Sequence, residues 1–399
     1  MKKLMILGAM EMHVPLIQRA KELGNYVVTV DYIPENPGHK LADEIYFDST
    51  TDLDTVYELA QRLKIDGIMT YNSDPAAPTV AYVAEKLCLP GNSYDSVHVM
   101  SNKNLFRKFL KEHELNCPVY HDFSSWEDVV NYNKNIEYPV IVKPVDSSGS
   151  KGCTVVNEPS GLEFAVMDAL AKSRCKRIII EEYIEPYGRQ LHGDGFVENG
   201  KVSFLYLGDH HFVETLNNLV PYSTTYPTNH SQEVVHGCFD QIQDFISKVG
   251  FRNGGFNVEL RVSKKDNKPY IIDIGARNGG NFTPKVIEYG TGFNFMDRAI
   301  KLALGEPTAE VKMTDKISNF VSHLILHSNQ SGVLNNCTLS TELKERIIES
   351  HIYAKSGDRI ESFFGANAAL GVLIMKYETR EVMERIVNNF PNLYKVELK

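Results

Sequence analysis

Strand and helix alternate through the first ninety residues, and this constrains the fold more than any other feature of the chain. LMILGA (4–9), YVVTVD (26–31) and GIMTYN (67–72) are apolar runs of strand length. VPLIQRAKELG (14–24), LDTVYELAQRLK (53–64) and APTVAYVAEKLC (77–88) place apolar residues at helical spacing. Such alternation predicts a parallel sheet with right-handed crossovers. A dinucleotide-binding unit is the tempting reading. The first strand, however, runs into Gly8-Ala9-Met10-Glu11-Met12-His13, where G-x-G-x-x-G is required.

LPGNS (89–93) closes this block. Beyond it the pattern predicts a helix over SNKNLFRKFLKEHE (101–114), mostly strands from 177 to 214, and a long amphipathic helix from about 231 to 249. GFNVELRVS (255–263) and PYIIDIG (269–275) form a hairpin around KKDNK. A chain of 399 residues is expected to hold two or three domains. With 43% hydrophobic and 23% charged residues it has the material for a sizeable core. A net charge of −9 argues against a general partner for nucleic acid or anionic membrane. No apolar run approaches the roughly 18 residues of a membrane span. The N-terminal MKKLMILGAMEM reads as a first strand, not a signal peptide. Six scattered cysteines without a C-x-x-C pair predict reduced thiols, no zinc site and a cytoplasmic location.

Three motifs carry chemistry. PVIVKPVDSSGSKG (139–152) is a buried-looking strand that ends in Lys143 and opens into a Gly/Ser loop. The loop alone reads as well as a surface hairpin. The lysine is harder to dismiss, because an ammonium held at the end of an apolar strand calls for an anion. RIIIEEYIEPYGRQ (177–190) is either an edge strand with solvated acids or a linker whose backbone at 182–184 reads an adenine edge, with Gln190 near the ribose. The 255–275 hairpin carries Glu259 and Asp273. Facing carboxylates on adjacent strands would repel, unless they share a hard cation such as Mg²⁺ or Mn²⁺. ARNGGN (276–281) follows, and Arg277 can grip a phosphate or carboxylate bidentately.

In this order the motifs resemble the ATP-grasp superfamily, in its carboxylate–amine ligase, biotin-carboxylase-like and L-amino-acid-ligase-like branch. SNKNLFRKFLKEHELNCPVY resembles the family's N–K–x–x–x–R–x–x–L…x–P segment. That makes Lys103 a phosphate lysine and implies that Lys143 meets the α- and β-phosphates of ATP. The resemblance makes 146–152 a flap over the triphosphate, with Ser148, Gly149, Ser150 and Lys151 as its contacts. It also makes Glu181 an acceptor for the adenine amino group, with Glu182, Tyr183 and Ile184 as the base-binding backbone and Gln190 beside them. Glu259 and Asp273 become the metal ligands, with Lys143 and Arg277 acting on the reacting groups. One departure stands out. Where relatives commonly read E-x-N-P-R, this chain reads Asp273-Ile274-Gly275-Ala276-Arg277. Water or Asn278 would have to fill the place of the missing asparagine.

The implied architecture is α/β and α+β. A Rossmann-like domain at 1–95 precedes a two-lobed ATP-grasp domain at 96–310, with a flexible lobe at about 120–185, and a C-terminal lobe at 311–399 completes it. The implied activity is an ADP-forming ligase that activates a small carboxylate as an acylphosphate and joins it to an amine, with a homodimer left open. The alternatives are a carboxylase-type enzyme using bicarbonate, and a nucleotide-binding protein that has lost catalysis. His210, His211 and Tyr222, in the stretch 208–229, are candidates for the acceptor pocket.

Overall fold

The computed structural model describes the chain apart from residues 133–134, 148, 214–216 and 309–318. The expected boundary near 310 therefore lies outside the described residues, as does Ser148. Among the described residues the strands form four sheets. In the first, β1 (Lys3–Leu7), β2 (Tyr26–Val30), β3 (Glu44–Tyr46) and β4 (Gly67–Met69) run parallel in the order β3-β2-β1-β4. Helices Val14–Glu22, Leu53–Leu63 and Ala77–Lys86 follow β1, β3 and β4. The strand expected over 67–72 stops at Met69. The chain then leaves the sheet as a loop, so Asn72, Ser73 and Asp74 reach the crevice outside the carboxyl ends of the strands, where open parallel sheets place ligands.

The second sheet is antiparallel and holds β5 (Tyr120–Phe123), β6 (Val140–Pro144), β7 (Thr154–Val156) and β8 (Ile178–Glu182), in the order β5-β8-β6-β7. It has its own apolar core, in which Val140, Val142, Ile178 and Ile180 meet Leu162, Ala165 and Val166 of helix Leu162–Lys172.

The large sheet takes β9 (Leu191–Glu198), β10 (Lys201–Val213), β11 (Asn217–Tyr226), β12 (Gly254–Val262), β13 (Pro269–Gly275) and β14 (Phe320–Leu326). The strands β15 (Gly332–Leu339), β17 (Arg359–Ile360) and β19 (Tyr394–Leu398) form a small sheet. Strands β16 (Ile347–Ile352) and β18 (Gly371–Tyr377) instead extend the large one, whose order is β13-β12-β9-β10-β11-β14-β18-β16. One continuous core joins Leu4, Ile6 and Leu16 of the first domain to Phe196, Phe295 and Val321. The Arg19 guanidinium reinforces this junction with two bonds to Asp297, at 2.6 and 2.9 Å.

The helix expected over 101–114 is two helices, Tyr94–Ser101 and Lys103–Glu112, with Asn102 extended between them. The break is fixed by a contact with a distant part of the chain. The Lys103 amide donates to the carbonyl of Val145 at 2.9 Å, which ties the helix start to the end of β6. Among the described residues no helix is long and apolar enough to cross a membrane.

Candidate active site

A cleft of about 810 Å³ runs between the first domain, the small antiparallel sheet and one face of the large sheet. Lys143 enters it from the end of β6, a strand buried along its whole length. Its Nζ donates to Glu181 Oε2 at 2.8 Å, from the neighbouring strand β8. Arg107 holds the other side of the same carboxylate, with Nε 2.8 Å from Oε1 and Nη2 3.3 Å from Oε2. The Arg107 guanidinium also donates to the carbonyls of Ile271 and Ile272 on β13, at 3.2 and 2.7 Å. Burial pushes the Glu181 carboxyl up, but Arg107 and Lys143 outweigh it and hold the group down at about 2. Glu181 was expected to accept from an adenine amino group. Here three N–H donors from two charged side chains, Arg107 and Lys143, already bond to its two oxygens.

Lys103 begins its helix with Nζ 3.0 Å from the carbonyl of Ser147 and 3.5 Å from Asp273 Oδ2. Burial would pull its ammonium down, and Asp273 above all holds it up instead. Asp273 stands opposite Glu259 across the β12–β13 pair, and a register shift follows directly after Glu259. Burial, and then Asp273, push the Glu259 carboxyl up. Burial pushes Asp273 the same way, yet Lys103 and Lys143 bring it down. The two acids are thus shifted in opposite directions, because the lysines act mainly on Asp273 while burial and Asp273 act on Glu259. Their oxygens are the donor type that Mg²⁺ or Mn²⁺ takes.

Gln190 does not face a ribose freely. Its Nε2 donates to Glu259 Oε2 at 2.9 Å and its Oε1 accepts from Arg261 Nε at 2.7 Å. Arg261 also donates to the Ile184 carbonyl at 3.2 Å and lies over the Tyr183 ring, 4.6 Å from its centre. The amides of Glu182 and Tyr183 donate to the carbonyls of Val119 and Pro139, at 2.7 and 3.1 Å. Base recognition by the whole 182–184 backbone is therefore narrowed, with Glu182 and Ile184 still lining the cleft. Gly149, Ser150 and Lys151 of the loop line it too. Ser150, at φ +57°, donates its hydroxyl to the Leu219 carbonyl at 2.8 Å.

Arg277 does not leave its fork free. Nε and Nη2 each donate to one oxygen of Asp74 at 2.6 Å, and Nη1 donates to the Asn278 carbonyl at 3.1 Å. Asp74 comes from the first domain. It also accounts for Gly275, because a Cβ there would fall 2.8 Å from Asp74 Oδ1 and 3.3 Å from Arg277 Nε. Asn278 does not fill the place of the missing asparagine. It is buried, with Nδ2 3.2 Å from Asp194 Oδ2. Asp194 also accepts from the Gly279 amide at 2.8 Å and from Asn257 Nδ2 at 2.7 Å, which pins the loop after β13. Burial lifts the Asp194 carboxyl to about 6.

Of the three acceptor-pocket candidates, only His210 lines the cleft. His211 follows it on the strand and faces the other side, 3.0 Å from Thr225 Oγ1, because successive strand residues alternate. Tyr222 is buried and donates to the Val387 carbonyl at 3.2 Å. His192 and His323 line the cleft beside His210, and the His192 and His210 rings stack with centres 4.3 Å apart.

Arg107, Asp74, Asp194, His192 and His323 were not singled out from sequence. Arg107 occupies the arginine of the N–K–x–x–x–R pattern, which was signal enough. The others have no partner nearby in the chain to mark them.

Residues 100–281 match the family model described as an ATP-grasp domain. The carbamoyl phosphate synthase large chain of Thermotoga petrophila is 23% identical over 327 residues, covering 78% of this chain and 27% of that one. The chain thus spans about a quarter of the length of the relatives it first matches. The formate-dependent phosphoribosylglycinamide formyltransferase of Sulfurisphaera tokodaii is 24% identical, covering 93% of this chain and 92% of that one. Among solved structures, the L-amino acid ligase of Bacillus licheniformis superposes with a TM-score of 0.85 at 23% identity, covering 100% and 99% of the two chains. The N5-carboxyaminoimidazole synthetase of Staphylococcus aureus, complexed with ADP, gives 0.76 at 17%, covering 97% and 96%.

Proposed function

From the premise that residues 100–281 are an ATP-grasp domain, we propose that the protein is an ADP-forming ligase that activates a small carboxylate as an acylphosphate and joins it to an amine. The observation that carries this is the meeting of Lys103, Lys143, Glu259, Asp273 and Arg277 on one cleft. A carboxylate is a poor acyl donor at neutral pH. Attack of its oxygen on the γ-phosphorus of ATP forms an acylphosphate and releases ADP. An amine then attacks the acyl carbon, phosphate departs with the bonding pair, and the amine gives up a proton.

The chain's contribution is charge and position. Lys143, braced by Glu181, and Lys103, at the start of its helix, present ammonium groups to the phosphates. Arg277 keeps two N–H groups beyond those used by Asp74 and Asn278, and these would serve the transferred phosphoryl group. Glu259 and Asp273 would hold Mg²⁺ or Mn²⁺, which when bound neutralises charge between carboxylates and phosphate oxygens. The unbridged cysteines among the described residues suit a reducing compartment such as the cytoplasm.

The test is ADP release across a panel of amino acids and small carboxylic acids, with hydroxylamine added to trap the acylphosphate as a hydroxamate. Excess chelator should abolish the release. Conversion of ATP to AMP and pyrophosphate with no hydroxamate would place the reaction in the acyl-adenylate class. ADP release that depends on bicarbonate alone would make the protein a carboxylase.

A further inference from the structure

The end of the cleft formed by the first domain has a chemistry of its own. Its wall is made by residues that follow the parallel strands, chiefly Gly8 after β1, Asp31 after β2 and Asn72 after β4. His13 is 0% exposed, and neither of its ring nitrogens has a partner. Its imidazole lies over Gly8, where a Cβ would fall 2.4 Å from Nε2. Asn36 Nδ2 and Asn72 Oδ1, on the same wall, are likewise buried without partners. Asp31 is 5% exposed and accepts from the amides of Ala9 at 2.9 Å and Ile33 at 3.1 Å. Among the described residues it makes no ion pair: its nearest polar contacts are those amides. The described first-domain residues lining the cleft include no lysine or arginine.

A phosphate placed against this wall would meet the Asp31 carboxylate with no lysine or arginine of the first domain beside it, and burial makes that costly. An ammonium here would give Asp31 the counter-charge that the first-domain wall does not supply. Neutral His13 offers one donor and one acceptor, Asn36 a donor and Asn72 an acceptor. That set suits a hydroxyl or carbonyl next to the ammonium. We infer that this end of the cleft receives an unphosphorylated ammonium compound with at least one further hydrogen-bonding group, held by Asp31, His13, Asn36 and Asn72. That this compound is the amine of the reaction rests on the ligase reading. The charge preference rests on the cleft alone.

The experiment is calorimetric titration of the full chain, with Mg²⁺ and a non-hydrolysable ATP analogue present. Three matched pairs serve as probes: ethanolamine and phosphoethanolamine, serine and phosphoserine, glucosamine and glucosamine 6-phosphate. At least one unphosphorylated member should bind at least about tenfold more tightly than its ester, and Asp31→Asn should weaken it by about tenfold or more. Because Asp31 also anchors two amides, Asn36→Ala provides a second variant that leaves both of those bonds in place, with an expected loss of about threefold or more. Equal or tighter binding of an ester overturns the inference. So does failure of all six compounds to bind, or binding that neither substitution alters. ADP release is read in parallel with added carboxylates. A compound that binds with the predicted preference but never supports ADP release removes the ligase reading and leaves the charge assignment standing.

Discussion

Lys143 and Glu181 illustrate how a single residue in this cleft depends on its partners. Removing the lysine leaves Glu181 still bonded to Arg107, so the fold should hold while the phosphate loses a cation. Lys143→Ala is expected to raise KM for ATP by about tenfold or more and lower kcat by about a hundredfold, with the urea midpoint little changed. Near-normal kinetics would remove Lys143 from the nucleotide site. Gly275 carries a sharper prediction. From sequence alone, asparagine at this position looks harmless or beneficial. With Asp74 Oδ1 2.8 Å from the added Cβ, Gly275→Asn must instead displace the Asp74–Arg277 pair. It should lower kcat by about tenfold to a hundredfold while KM for ATP moves by less than about threefold. Asp74→Ala should do similar harm, and the double substitution should cost less than the sum, because the first change already removes what the second disturbs. Strict additivity of the two losses would separate Gly275 from Asp74.

The small sheet β5–β8 is the element we expect to move. Its core of valines, isoleucines and alanines is separate from the clusters under the other sheets, and a lobe with its own core can shift as a unit over a nucleotide. Two of its elements touch the cleft, the end of β6 with the loop after it and the end of β8. Adding ATP analogue with Mg²⁺ should therefore slow amide exchange in segments 140–156 and 178–184, and leave the parallel sheet β1–β4 nearly unchanged. Equal protection in both regions would argue for global tightening instead of closure of this lobe. At this scale much was legible, because period and spacing are local properties. The β12–β13 hairpin with its two carboxylates, the lysine at the end of β6 and the long helix Gln232–Val249 all follow from neighbouring residues. The break at Asn102 was not, since it depends on a bond to Val145 in another part of the chain.

Across the whole molecule, buried histidines should dominate the response to acid. Burial holds His192 and His211 at about 3, and His13 and His323 at about 4, against an ordinary 6.5. A group with a lowered folded pKa binds protons in the unfolded chain first, so its stability contribution is complete above about 6.5 and is lost as pH falls toward 4. Asp194 has the opposite sign. Its folded value of about 6 lies above the ordinary 3.8, so protonating it favours the folded chain over that interval. The lowered histidines outnumber the raised acids Asp194, Asp209 and Glu259, and urea midpoints should fall between pH 7 and pH 5, more steeply in Asp194→Asn than in the wild type. A midpoint that rises across this range would show that the histidines are not held neutral. The sequence by itself determined the alternating first domain, the order of the nucleotide motifs and the facing carboxylates, because each is written in residues a few positions apart. Only the tertiary structure decided that Asp74 takes the fork of Arg277, that Arg107 shares Glu181 with Lys143, and that His192, His210 and His323 meet at one wall. Those partners lie tens to hundreds of residues apart, and what brings them together is the packing of sheets whose pairing no local pattern encodes.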